Sequence, residues 1–114
     1  MSTQRLFVYG TLGPGRPNEH VLAPYGGTWR RSSVRGALRE EGWGAAMGFP
    51  GLVIGEPRAD ADPDARVAGW VLTAGLREAW AKLDAFEGKE YRRVETTVTL
   101  EDGGRVTAWV HALR

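Results

Sequence analysis

The chain opens on a short, unbroken apolar run. Leu6-Phe7-Val8-Tyr9, bounded by Arg5 and Gly10, is too brief for a helix and reads as a buried strand. Behind it lies Gly10-Thr11-Leu12-Gly13-Pro14-Gly15-Arg16-Pro17, with three glycines and two prolines in eight residues. This is a loop with specific backbone demands, because glycine permits positive φ while proline fixes φ and removes a donor. Asn18 is placed to open a short helix through Glu19, His20, Val21 and Leu22. From Gly27 to Arg39 the pattern is polar, with sparse apolar positions at Trp29, Val34 and Leu38, and predicts exposed strand pairs. A second breaker-rich stretch, Gly42 to Gly51, leads into Leu52-Val53-Ile54. Pro57 to Pro63 reads as a polar, acidic surface loop, and Val67 to Thr73 alternates as a strand does.

The best helical period lies further on. Leu76, Ala79, Trp80, Leu83 and Phe86 fall at helical spacing, which predicts a helix from Leu76 to Phe86 with Gly88 as its C-terminal cap. Tyr91 to Leu100 and Arg105 to Leu113 are β-rich runs joined by Glu101-Asp102-Gly103-Gly104, the signature of a hairpin. There is no repeat, heptad array or low-complexity segment. The element order gives an α+β fold, a small mixed β-barrel or a strongly curled sheet, since little helix is available to cover two faces.

Composition narrows the classes. At 114 residues the chain is expected to form a single domain, 1–114, able to bury its own core. It holds no cysteine, which removes disulfides, thiolate nucleophiles and the usual zinc sites together. The net charge is +1 and the arginines are scattered, so nucleic acid is not expected as a partner. The N-terminal apolar run is too short for a signal peptide, and no window approaches the roughly 18 apolar residues of a transmembrane helix. A cytoplasmic location and no membrane partner are therefore expected.

Two places carry candidate chemistry. A strand running into a glycine-rich turn presents backbone N–H groups to an anion, or is simply a tight structural turn. It is not a phosphate-binding P-loop, because no Gly-Lys-Ser/Thr follows, and it lacks the third glycine of a dinucleotide fingerprint. Glu87 is the second place. It sits at the predicted helix end, where the partial negative charge of the C-terminus disfavours a carboxylate, and Asp84 and Phe86 lie nearby. If partly buried it would have a raised pKa suited to proton transfer; otherwise it is a solvated glutamate at a frayed end. His20 and His111 have no partner pattern, and no metal spacing exists. His111 alternates with Trp109 on one face of the last strand, where it either lines a cavity or is locally satisfied. Serines at 2, 32 and 33 form no nucleophile elbow, and the five tryptophans lack the basic stripe of a base-stacking surface.

Together these segments resemble one family. Leu6-Phe7-Val8-Tyr9-Gly10-Thr11-Leu12-Gly13-Pro14-Gly15, Leu83-Asp84-Ala85-Phe86-Glu87-Gly88 and Tyr91-Arg92-Arg93 are similar to segments of the gamma-glutamyl cyclotransferase-like family. Its short subgroup, which includes gamma-glutamylamine cyclotransferase and bacterial members, is the nearest likeness. Phe49-Pro50-Gly51-Leu52-Val53 and Val67-Ala68-Gly69-Trp70-Val71-Leu72 look like the family's middle segments. The resemblance implies a compact barrel with flanking helices and a pocket that converts a small-molecule γ-glutamyl substrate to 5-oxoproline. It implies substrate binding by Tyr9 and by the backbone amides of Gly10, Thr11 and Leu12, with Glu87 as catalytic acid/base.

Tyr91 matches a less specific Tyr-x-Arg segment and is either a pocket residue or strand packing. The family often carries an aromatic hydroxyl where this chain has Trp109-Val110-His111; His111 takes over a polar contact there, or recognition is altered. Cyclisation by the substrate's own amine needs neither metal nor cofactor, and none is expected. Monomer and homodimer both remain open. A non-catalytic protein binding a small anionic metabolite in the same pocket is the alternative.

Overall fold

The computed structural model describes residues 3–39, 51–54 and 65–113. Most of the breaker-rich stretch Gly42 to Gly51 and all of the expected loop Pro57 to Pro63 lie outside the described residues. The strands are β1 (Gln4–Val8), β2 (Thr28–Arg35), β3 (Ala37–Arg39), β4 (Gly51–Val53), β5 (Arg66–Ala74), β6 (Tyr91–Leu100) and β7 (Arg105–Leu113). One α-helix, α1, spans Trp80–Glu87.

Five strands close into a barrel in the order β1-β5-β2-β6-β7. The neighbours run antiparallel except at the closing seam, where β1 and β7 run parallel with Leu6 opposite Trp109. The fold is therefore mixed, and of the two expected forms it is the barrel. Strand alternation sorts the core into two clusters. Phe7, Val34, Val71, Val98 and Val110, one from each barrel strand, pack together at no more than 2% exposure and fill the interior. Four of the five are valines, whose compact branched side chains suit so narrow a barrel. Leu6, Val8, Leu72 and Ala74 face the other way and pack with Leu76, Ala79 and Leu83 beneath the helix. Gly69 permits this seam: a Cβ there would meet the backbone oxygen of Val8 and lie 2.7 Å from the Phe7 ring.

The β6–β7 hairpin lies where the β-rich runs end, with Tyr91 opposite Leu113 and Thr99 opposite Arg105. Three local expectations need correcting. The helix begins at Trp80, not Leu76, because Leu76 to Ala79 form a turn closed by Ala79 N–H to Leu76 O at 2.8 Å. The Gln4 side chain takes the Leu76 N–H at 2.7 Å, and no side chain caps the helix start. Asn18 opens only a three-residue 3₁₀ turn, Glu19–Val21, and makes no capping bond. Glu19 instead folds back onto the Gly15 N–H at 2.9 Å. Finally, Thr28 to Arg35 is a central barrel strand between β5 and β6, with Ser32 and Val34 buried; small inner residues alternating with outward arginines mimic an exposed strand in sequence. Only β3, paired with β4, is peripheral, and Leu38 on it is 47% exposed. At the other end of α1 the expectation holds: Gly88 has φ +88° and donates to Asp84 O at 3.0 Å.

Candidate active site

Tyr9 emerges from the end of β1 and stacks on Phe7 with ring centroids 6.3 Å apart. Its hydroxyl donates to the backbone oxygen of His111 on β7 at 2.9 Å and accepts the N–H of Leu52 on β4 at 3.0 Å. One phenol thus ties together three segments at one mouth of the barrel. Burial and the nearby charge of Glu87 push its ionisation well above the usual phenol range, so it stays neutral. The turn that follows is packed, not splayed: Thr11 and Leu12 are buried, and Leu12 belongs to the same apolar cluster as Leu83 of α1. Thr11 O accepts from Asn18 N–H at 2.8 Å, which folds the loop back on itself. Among the described residues no backbone carbonyl takes the N–H of Gly10, Thr11 or Leu12.

Glu87 is the last residue of α1, one turn beyond Leu83, and is partly buried. Burial alone raises its carboxyl from 4.5 to about 7. The sequence reading also assigned Asp84 a share in that shift, but Asp84 is engaged elsewhere. Tyr9 and Tyr91 both feel the charge of Glu87, so these three groups share one neighbourhood. Tyr91 is buried at the start of β6, and its hydroxyl too is pushed up by burial and then by Glu87. The structure therefore gathers the Tyr9 side chain, Glu87 and Tyr91 at the barrel mouth, with the glycine turn anchored beside them through Leu12.

A second group of polar residues lies on the other side of the helix end and was not singled out from sequence. His111 is only 5% exposed, and its Nε2 lies 2.8 Å from Asp84 Oδ1. Arg93 reaches the same carboxylate through Nε at 3.1 Å and Nη2 at 3.3 Å, although Nε points too far off line to form a hydrogen bond. Its guanidinium also lies 4.5 Å from the Trp80 ring centroid and 5.1 Å from that of Trp109. Burial holds the His111 imidazole below its ordinary value, although Asp84 pulls the other way. Hence the His111 side chain does not replace a pocket hydroxyl beside Tyr9; only its backbone oxygen meets Tyr9. The signal was available in the hairpin register, which places Arg93 directly opposite His111.

The profile of the family described as gamma-glutamyl cyclotransferase, AIG2-like matches residues 6–114. The chain belongs to this family. Among solved structures, this family member is similar to YkqA from Bacillus subtilis, at 26% identity and TM-score 0.73 over 98% of the chain. It spans only 36% of the length of YkqA. An AIG2-like protein from Mus musculus is 24% identical with TM-score 0.71, covering 98% of this chain and 78% of the mouse one. A yeast gamma-glutamyl cyclotransferase described as specific to glutathione is 15% identical with TM-score 0.59, covering 98% and 69%. The latter two likenesses are of fold. No curated protein matches the chain significantly in sequence. Among the described residues of this AIG2-like chain, no helix is long and apolar enough to cross a membrane.

Proposed function

We propose that the chain is a γ-glutamyl cyclotransferase-type enzyme that releases 5-oxoproline from a γ-glutamyl amine, amino acid or peptide, with Glu87 as the proton-transfer group. The observation that carries this reading is a carboxyl held near pKa 7 by burial, beside two neutral phenols at the end of a glycine turn. Family membership supports it.

In the reaction the substrate's α-amine attacks its own γ-carbonyl carbon. A C–N bond forms, closing the five-membered ring, and the bond to the leaving amine breaks. The attacking nitrogen must lose a proton and the leaving nitrogen must gain one. A single carboxylate can take the first proton and deliver it to the second, provided its pKa lies near the working pH. At about 7 Glu87 exchanges a proton at little cost in either direction. The N–H groups of Gly10, Thr11 and Leu12 are suited to the substrate carboxylate or the developing oxyanion, since oriented backbone donors need no reorganisation as charge develops. Tyr9 acts in this scheme as a brace, because both of its hydroxyl contacts are to backbone. Tyr91 lies close enough to Glu87 to line the reacting centre.

The test is a panel of γ-glutamyl amines, amino acids and peptides incubated with the wild-type protein, with 5-oxoproline quantified directly. Time-dependent release from at least one compound is expected. Saturable binding with no release from any would instead indicate a metabolite-binding protein.

A further inference from the structure

On the outer face of the barrel, between the end of α1 and the β6–β7 hairpin, lies a cavity of about 620 Å³. That volume is in the range of small-molecule sites. Neither Glu87 nor any residue of the Tyr9–Leu12 turn lines it. Its walls carry Lys89, Arg92 and Arg93 against the carboxylate of Asp84, with His111 and the Trp109 ring beneath.

The charge balance is uneven. Asp84 is already taken by Arg93 and His111, at the 2.8–3.3 Å distances given above. His111 is held neutral by its burial, so it does not compete for the carboxylate as a second full cation. The Asp84–Arg93 pair offset one another, which leaves Lys89 and Arg92 as two cations in excess. A local turn sets them on one rim: Tyr91 N–H donates to Gly88 O at 3.2 Å, folding the chain between them. Both residues are exposed. Arg93, clamped between Trp80 and Trp109, is pre-positioned and fixes the cavity floor. Pre-organised cations over an aromatic floor favour a compact organic anion, because guanidinium and ammonium groups pair with carboxylate or phosphate oxygens while the ring covers the carbon frame.

We propose that this cavity is a binding site for a small dianion, a dicarboxylate or a phosphate ester, held by Lys89 and Arg92 over Trp109. The site is separate from the one assigned to cyclisation and does not depend on it.

The experiment is a titration of the whole chain, followed by amide and indole proton–nitrogen NMR, with inorganic phosphate and with malonate. Ionic strength is held constant with sodium chloride. Saturable shifts centred on the Trp109 indole and the Lys89 and Arg92 amides are expected. The Lys89→Ala/Arg92→Ala double variant, altered only at exposed positions, should weaken binding about tenfold or more, by loss of two charge-assisted contacts. Glu87→Gln should leave it unchanged. A response to malonate alone assigns the site to dicarboxylates, and a response to phosphate alone assigns it to phosphate esters. The proposal fails if neither anion shifts these signals beyond sodium chloride, or if the double variant binds as well as wild type.

Discussion

Replacing Glu87 by Gln should stabilise the protein, and only above the acid range. In the folded chain the carboxyl ionises at about 7 against 4.5 ordinarily, because burial penalises its charged form. The raised value means that between these two pH values the native state holds a proton that the unfolded chain has released. Stability contributed by Glu87 is therefore intact below about pH 4.5 and is lost as pH rises through 7. At 1.36 kcal/mol per pH unit, the full loss is about 3 kcal/mol. Partial solvent contact reduces this, so the expected penalty is on the order of 1–3 kcal/mol above pH 8. Glutamine has nearly the shape of the protonated acid and carries no charge. The variant should accordingly unfold at a urea midpoint higher by about 1–2 M at pH 8, for slopes ordinary in a domain of this size. At pH 4.5 the difference should shrink to a few tenths of a kcal/mol. The assay is equilibrium urea unfolding of both proteins at pH 4.5, 6, 7 and 8, followed by tryptophan fluorescence. A difference that stays flat across this range would refute the claim that burial sets the Glu87 pKa.

Three further outcomes are expected. Tyr9→Phe keeps the ring stack on Phe7 but strands the Leu52 N–H and the His111 carbonyl, so thermal unfolding should show a loss of about 1–3 kcal/mol; an unchanged midpoint would mean that the phenol is not a brace. Leu83→Ala opens a void at a fully buried position between α1 and the barrel, and should cost about 2–5 kcal/mol by chemical denaturation. If 5-oxoproline release is found, its kcat/KM should climb with pH on an acid limb near 7, because the carboxylate is the form that accepts the amine proton. A limb near 4.5 would point to an unperturbed carboxyl.

Much of this fold is written in local pattern, and the places where pattern misleads have physical causes. The β6–β7 hairpin was legible to the residue because strand runs and a glycine turn agree there, and Gly103 at φ +90° supplies the conformation the turn requires. Gly88 likewise announced the end of α1. The start of that helix was not legible: Leu76 and Ala79 keep helical spacing, yet they are buried in a turn whose first N–H is claimed by Gln4 from a strand more than seventy residues earlier. Barrel closure is also non-local. Nothing near Thr28 reveals that its strand runs between β5 and β6, so an interior strand with small inward residues looks exposed.

At the site, Glu87 and the glycine turn stood out because an acidic residue before a C-terminal glycine and a glycine-proline loop are locally unusual. The Asp84–Arg93–His111 cluster did not, because its members come from α1, β6 and β7 and acquire meaning only through strand register.

The most direct measurement compares 5-oxoproline release by wild-type protein and by Glu87→Gln, on the best γ-glutamyl compound in the panel, with the fold of the variant verified by its urea midpoint. A proton-shuttling Glu87 predicts release by wild type and a loss of about 10²-fold or more in the variant, whose stability at pH 8 is higher. Release by Glu87→Gln within a few-fold of wild type would contradict the assignment.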